Sequence, residues 1–124
     1  MIVTGIEDGG FLRVAKCGGT DARVLAAQDV TVWGKEPVYG VVTSTPPHLS
    51  TPEDAKKAKD FDAILIDTGM TKEEAEKLIS QGDRITVRCP HGEMENGRIF
   101  GAALDDRAGC AAIIRAERKV RQAQ

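Results

Sequence analysis

Apolar and polar residues alternate in short runs along most of the chain, and a helical period takes over only near its C-terminus. Met1–Ile6 and Phe11–Ala15 are two apolar runs flanking Glu7-Asp8-Gly9-Gly10. Such runs around an Asp-Gly step predict a β-hairpin, the step supplying positive φ in a tight turn. Cys17-Gly18-Gly19-Thr20-Asp21 reads as a flexible corner. Val24–Leu25 and Val30–Trp33 read as the next strands, Gly34–Pro37 as a turn, and the β-branched Val38–Ser44 as a further strand. Thr45-Pro46-Pro47-His48-Leu49 cannot join a regular element, because its prolines fix φ and remove donors. Thr51-Pro52-Glu53-Asp54 then opens a short helix: an N-cap, a proline at the first helical position and acids in the first turn. Lys56, Lys57 and Lys59 near its end suit the helix dipole.

Ala63–Asp67 is a continuous apolar run, the pattern of a strand buried on both faces. Thr71-Lys72-Glu73-Glu74 is a capping box. It leads a helix with Ala75, Leu78 and Ile79 on one face and Gly82 as its stop. Ile85, Val87 and Cys89 alternate with Arg84, Thr86 and Arg88, predicting a half-exposed strand. Pro90-His91-Gly92 and Glu95-Asn96-Gly97 are turn material, and Arg98–Ala103 reads as a strand. From about Ala108 a helix is predicted, with Cys110, Ile113, Ile114 and Val120 at helical spacing. The character changes near residue 97, from short strands and turns to one strand, a sharp junction and a long helix. A strand-to-helix unit of that kind belongs to an α/β layer. The fold class expected is mostly β with short helices, followed by a strand–helix segment of different origin.

Composition narrows the class. At 124 residues, with 41% apolar and 29% charged residues, the chain is of ordinary globular size and balance. A net charge of -2 with dispersed Lys and Arg does not give the basic footprint of a nucleic-acid binder. The aromatics, Phe11, Trp33, Tyr39, Phe61 and Phe100, are too few for a sugar- or base-stacking surface. Cys17, Cys89 and Cys110 have neither disulfide-framework nor CxxC spacing and read as reduced, packed thiols. There is no basic and apolar leader and no run long enough to span a bilayer, so a soluble, cytoplasmic protein without membrane contact is expected.

Candidate chemistry concentrates at Leu104-Asp105-Asp106-Arg107-Ala108-Gly109. Adjacent carboxylates after a strand and before a helix lie where α/β proteins place ligand groups. One carboxylate there can bridge two cations through its two oxygens. The same residues equally serve as a helix cap, with Arg107 as counter-charge. His48 and His91 lie beside prolines in loops and read as surface histidines. HExxH, GxSxG and Walker A patterns are absent, and Ser44, Ser50 and Ser80 have no nucleophile-elbow context. Cys17 has no sequence-local activator and reads as structural. Asp67-Thr68-Gly69 matches the triplet of aspartic proteases but precedes a capped helix, so it reads as a strand-to-turn exit.

Several of these segments, in order, resemble the tetrahedral metallo-aminopeptidases, also described as glutamyl or deblocking aminopeptidases and sometimes labelled cellulase M or endoglucanase. The stretches are Asp8–Leu12, Gly18–Leu25, Gly40-Val41-Val42 with Pro46–Leu49, Ile66–Gly69, Lys72–Ala75, Gly82-Asp83, Asn96–Arg98 and Ala103–Cys110. The likeness covers almost the whole chain. It implies an α/β catalytic domain with two metal ions, usually zinc or cobalt, and an inserted PDZ-like β-barrel that mediates dimerisation on the way to dodecamers. Residues 1–96 would be that barrel, and residues 97–124 a strand and helix re-entering the catalytic domain. Carried over, Asp105 is the metal-bridging ligand and Asp106 its partner across a cis peptide bond.

The family's His-x-Asp motif falls before Met1, and its Glu-Glu pair, further Asp and final His fall after Gln124. Of the usual ligands only Asp105 remains, and His48 belongs to the inserted domain rather than the metal set. The resemblance therefore implies a fragment of a two-metal aminopeptidase acting on N-terminal peptide bonds, inactive alone, serving in homo-oligomeric assembly. A stand-alone interaction module is the alternative, using the sheet edge and groove of a PDZ-like barrel. A glycan hydrolase would need spaced carboxylates and aromatic platforms, and follows only from the cellulase label.

Overall fold

A computed structural model describes residues 1–43 and 61–122. They form two compact units, Met1–Arg88 and Cys89–Gln124. The first contains β1 (Ile2–Ile6), β2 (Leu12–Ala15), β3 (Asp29–Trp33), β4 (Pro37–Val42), β5 (Leu65–Asp67), α1 (Lys72–Leu78) and β6 (Arg84–Val87). The second contains β7 (Gly92–Met94), β8 (Arg98–Phe100) and α2 (Leu104–Gln122). The expected class, mostly β with a barrel and a C-terminal helix, is the one adopted.

The six strands of the first unit close into an antiparallel barrel in the order β1-β2-β5-β4-β3-β6. The ring is sealed where Val3 N–H donates to the Asp83 carbonyl at 2.9 Å, Gly82 N–H to Val3 at 2.8 Å and Ile85 N–H to Met1 at 2.9 Å. No strand of this ring is terminal, so the sheet edge expected for an interaction module is absent from the described barrel. Closure removes edges.

Alternation fills the barrel. On β3, Val30 and Val32 point inward and Asp29 and Trp33 outward. Val3, Leu12, Val30, Val32, Val42, Ile66 and Ile79 are fully buried and join Leu25, Val38, Phe61, Ile64 and Ile85 in one core. Each such side chain contributes about 1.5–3 kcal/mol relative to an exposed one. In β5 only Ile66 is buried, with Leu65 half-buried and Asp67 exposed. The apolar run at 63–67 is therefore covered on one face, since its strand lines a barrel rather than a layered sheet.

Local chemistry modifies the expected elements. The β1–β2 turn takes its positive φ at Gly10, φ +83, rather than at Asp8-Gly9. Any Cβ at Gly10 would run into the Met70 carbonyl, so conformation and space both demand glycine. Val24 is not in a strand: Ala22–Val24 is a single 3-10 turn. Asp21 caps it, accepting from Arg23 N–H at 2.9 Å, a side-chain bond that competes with extended pairing. The capping box of α1 forms as expected, Glu74 N–H donating to Thr71 Oγ1 at 3.3 Å and Thr71 N–H to Glu74 Oε2 at 2.9 Å. The helix stops at Leu78, ahead of Gly82, because buried Ile79 turns extended and Lys35 N–H takes the Leu78 carbonyl at 2.8 Å.

In the second unit β7 and β8 pair antiparallel around Glu95–Gly97, where Asn96 and Gly97 both have positive φ. The turn was legible, but Gly92, expected as turn material, opens a strand that runs to Met94. The strand expected over Arg98–Ala103 ends at Phe100. All three cysteines are free and exposed, not packed. Cys17 lies in the corner after β2, Cys89 follows β6, and Cys110 sits on α2, which has no buried residue. Ser44 and the helix expected from Thr51 lie outside the described residues. Among the described residues no helix is long and apolar enough to cross a membrane.

Candidate functional site

The acidic junction is built by the exit from β8. After Phe100 the backbone bends through Gly101 to Ala103, which has φ +51. Within α2, Asp105 (φ -89, ψ 105) and Asp106 (φ -118, ψ 27) are not helical, and the peptide bond joining them is cis. Arg107 N–H donates to the Ala103 carbonyl at 3.2 Å, and regular helix continues from there. Both carboxylate residues are exposed.

Their surroundings differ. The Asp106 carboxylate lies over Gly109, in the space that any Cβ at 109 would occupy. Glycine inside a helix costs about 1 kcal/mol relative to alanine, and here it makes room for that carboxylate. Asp106 thus sits against the first turn, where negative charge opposes the positive end of the helix dipole. The two residues of the pair thus differ: the Asp106 carboxylate occupies the space over Gly109, and the Asp105 carboxylate does not.

A cavity of about 390 Å³ opens within the same unit. Its walls include His91 and Glu93 from the hairpin, Ile99 and Phe100 from β8, and Leu104 and Arg107 either side of the two aspartates. His91, read as a surface loop histidine, is exposed but lines this cavity; its position after Pro90 gave no sign of that. His48, Ser44 and Ser50 lie outside the described residues. Ser80 is exposed at the end of α1, where its N–H donates to Asp83 Oδ2 at 2.8 Å. Asp67-Thr68-Gly69 is a strand exit as expected: Gly69 N–H donates to Asp67 Oδ1 at 2.8 Å, with Gly69 at φ +71.

Metal chemistry needs several converging donors. Among the described residues no group of three or more His, Cys, Asp or Glu side chains is arranged to hold an ion. Asp105 can offer one carboxylate, but these residues do not by themselves fit a metal pair.

The electrostatically perturbed groups lie in the barrel unit. Hydrogen bonding from Arg23 lowers the Asp21 carboxyl to about 2. A 2.8 Å ion pair with Lys72 lowers Asp8 and raises Lys72, tying the β1–β2 turn to α1. The Tyr39 hydroxyl donates to Asp29 at 2.7 Å, and that bond raises its pKa.

The ordered motifs, the closed barrel and the Asp105-Asp106 junction can be set beside known proteins. A sequence model of the M42 glutamyl aminopeptidases matches residues 1–124. The chain belongs to this family. It is 33% identical over 124 residues to the lysyl aminopeptidase of Pyrococcus furiosus, a match covering 97% of this chain and 36% of that protein. The TET aminopeptidase from a marine sediment thaumarchaeon superposes with a TM-score of 0.89 at 36% identity, over 98% of this chain and 35% of that one. The Pyrococcus horikoshii TET1 peptidase, described as assembling into a tetrahedron or a large octahedral shell, gives 0.83 at 37% identity, over 95% of this chain and 36% of that one. This M42 chain spans between 31% and 36% of the length of such relatives.

Proposed function

We propose that this M42 chain is the assembly domain of a metal-dependent aminopeptidase, carried together with a segment that bears one metal ligand. Residues 1–96 contain the inserted barrel, and residues 97–124 contain the strand and helix that return to an α/β catalytic layer. The whole protein hydrolyses N-terminal peptide bonds in the cytoplasm with two metal ions, zinc or cobalt. Asp105 is their bridging ligand and Asp106 its cis neighbour. The protein is a homo-oligomer with peptide substrates, and it has no nucleic-acid or membrane partner.

The observation that carries this reading is the end-to-end family match over a closed barrel followed by an Asp-Asp junction. Relatives described as tetrahedral or octahedral shells support the assembly role. With Asp105 as its one metal ligand and no group of three metal-capable side chains among the described residues, the chain's own contribution is assembly rather than hydrolysis. Nor does one carboxylate position and activate a nucleophile.

Calorimetric titration of the chain with zinc or cobalt tests this division of labour. Weak or absent binding is expected, together with no release of N-terminal residues from peptides. A tight site for two ions per chain would contradict it and restore catalysis to this chain.

A further inference from the structure

Asn96 is the only asparagine of the chain, and Gly97 follows it. The pair lies at the tip of the β7–β8 hairpin, in the three-residue turn between the paired Met94 and Arg98. Both residues are exposed, and a Cβ added at Gly97 would meet nothing within 4 Å.

An asparagine followed by glycine is open to attack by its own backbone, because glycine has no Cβ to hinder the approach and moves freely. The Gly97 nitrogen attacks Asn96 Cγ. The N–Cγ bond forms, the Cγ–Nδ2 bond breaks, and the proton lost by the Gly97 amide leaves with the departing nitrogen as ammonia. Water then opens the five-membered imide at either carbonyl. One opening restores the backbone and leaves aspartate at position 96; the other routes the backbone through Cβ as an isoaspartyl link. Water is the only co-reactant.

The folded turn opposes this step. Asn96 has φ 62 and ψ 31. At that ψ the Gly97 nitrogen lies across the Cα–C bond from Cβ, whereas ring closure needs the two side by side. The reaction therefore runs from an opened hairpin. Only Gly92 with Phe100, Glu93 with Ile99 and Met94 with Arg98 are paired, and none of these residues is buried. A two-stranded hairpin of this kind is marginally stable in water and opens locally at small cost.

We infer that Asn96 is a self-modification site, converting to aspartyl and isoaspartyl forms at a rate set by opening of the β7–β8 hairpin. The two products act differently. Aspartate tolerates the left-handed region as asparagine does, and adds a negative charge beside Glu95 to a chain of net charge -2. The isoaspartyl link adds a backbone atom to the turn, so Met94 and Arg98 no longer meet in register. Glu93, Ile99 and Phe100, which wall the 390 Å³ cavity, lose their register with them.

The full chain is held in mildly alkaline buffer, folded and in urea, and sampled over time by intact mass, ion exchange and enzymatic methylation of isoaspartyl groups. Ammonia should be lost in both states, at least about tenfold more slowly from the folded chain. Acidic and methyl-accepting species should appear together. Asn96→Asp has no amide to lose, so its mass should stay constant. It should keep the β7–β8 amide signals in NMR that the isoaspartyl fraction loses. Equal rates in the two states overturn gating by the hairpin. A folded chain that stays unchanged while the unfolded chain converts fully overturns the site, as does a loss of ammonia that persists in Asn96→Asp.

Discussion

Asp21 turns what the apolar pattern offers as a strand into a helical turn, and its bonds to Arg23 show how. Arg23 donates to it from the backbone at 2.9 Å and from the guanidinium at 2.6 Å, which favours the carboxylate form and lowers its pKa to about 2. A depressed pKa contributes stability that is present above the unfolded value and lost as pH falls through the folded one. The cap should therefore weaken only in acid, approaching pH 2. Carbon-13 NMR of the carboxyl should give a midpoint near that value, and Arg23→Gln should raise it only part of the way to the usual carboxylate range, because the backbone N–H of residue 23 still donates. Gly10 gives a second prediction at this scale. Gly10→Ala meets both a left-handed φ and the Met70 carbonyl, and should destabilise the barrel by about 1–2 kcal/mol or more in urea unfolding. The pattern in the sequence located the glycine-rich turn but not which glycine mattered, because the clash comes from a residue distant in sequence. At the acidic pair, adjacency alone could not separate Asp105 from Asp106. The space over Gly109 separates them.

At the level of elements, local signals with a mechanism carried through. The capping box formed with both of its bonds, and Thr71→Ala should cost about 1 kcal/mol, read as a fall in urea midpoint at constant m-value. The Asn96-Gly97 turn was equally plain, yet the strand before it was missed because Gly92-Glu93-Met94 has no apolar alternation to announce it. α2 shows the converse. Its helical spacing is correct, but Ile113, Ile114 and Val120 are exposed and nothing on the helix is buried. Helical stability in proteins comes mainly from packing of an apolar face. Amide exchange in this chain should therefore be slow in β3, β4 and β6 and fast along α2, with protection differing by orders of magnitude. Comparable protection in α2 would mean that its apolar residues are covered in solution.

For the molecule as a whole, strand alternation made a mostly β chain with a C-terminal helix legible, but not the ring. Strand order and closure depend on pairings such as Gly82 with Val3, which no local pattern encodes. That closure also changes how the barrel can engage a partner, since a closed ring offers faces and not edges. The physical break between compact units falls between Arg88 and Cys89, and the β7–β8 hairpin spans the place near residue 97 where the sequence changes character. Family membership was carried by motifs in order, whereas the assembly role depends on what the barrel presents to solvent. The most direct test of that role is the solution mass of the chain by light scattering across a wide concentration range. A dimer that persists on dilution is the expected result, with the barrel itself supplying the contact. A monomer at every concentration would contradict an assembly function for this chain.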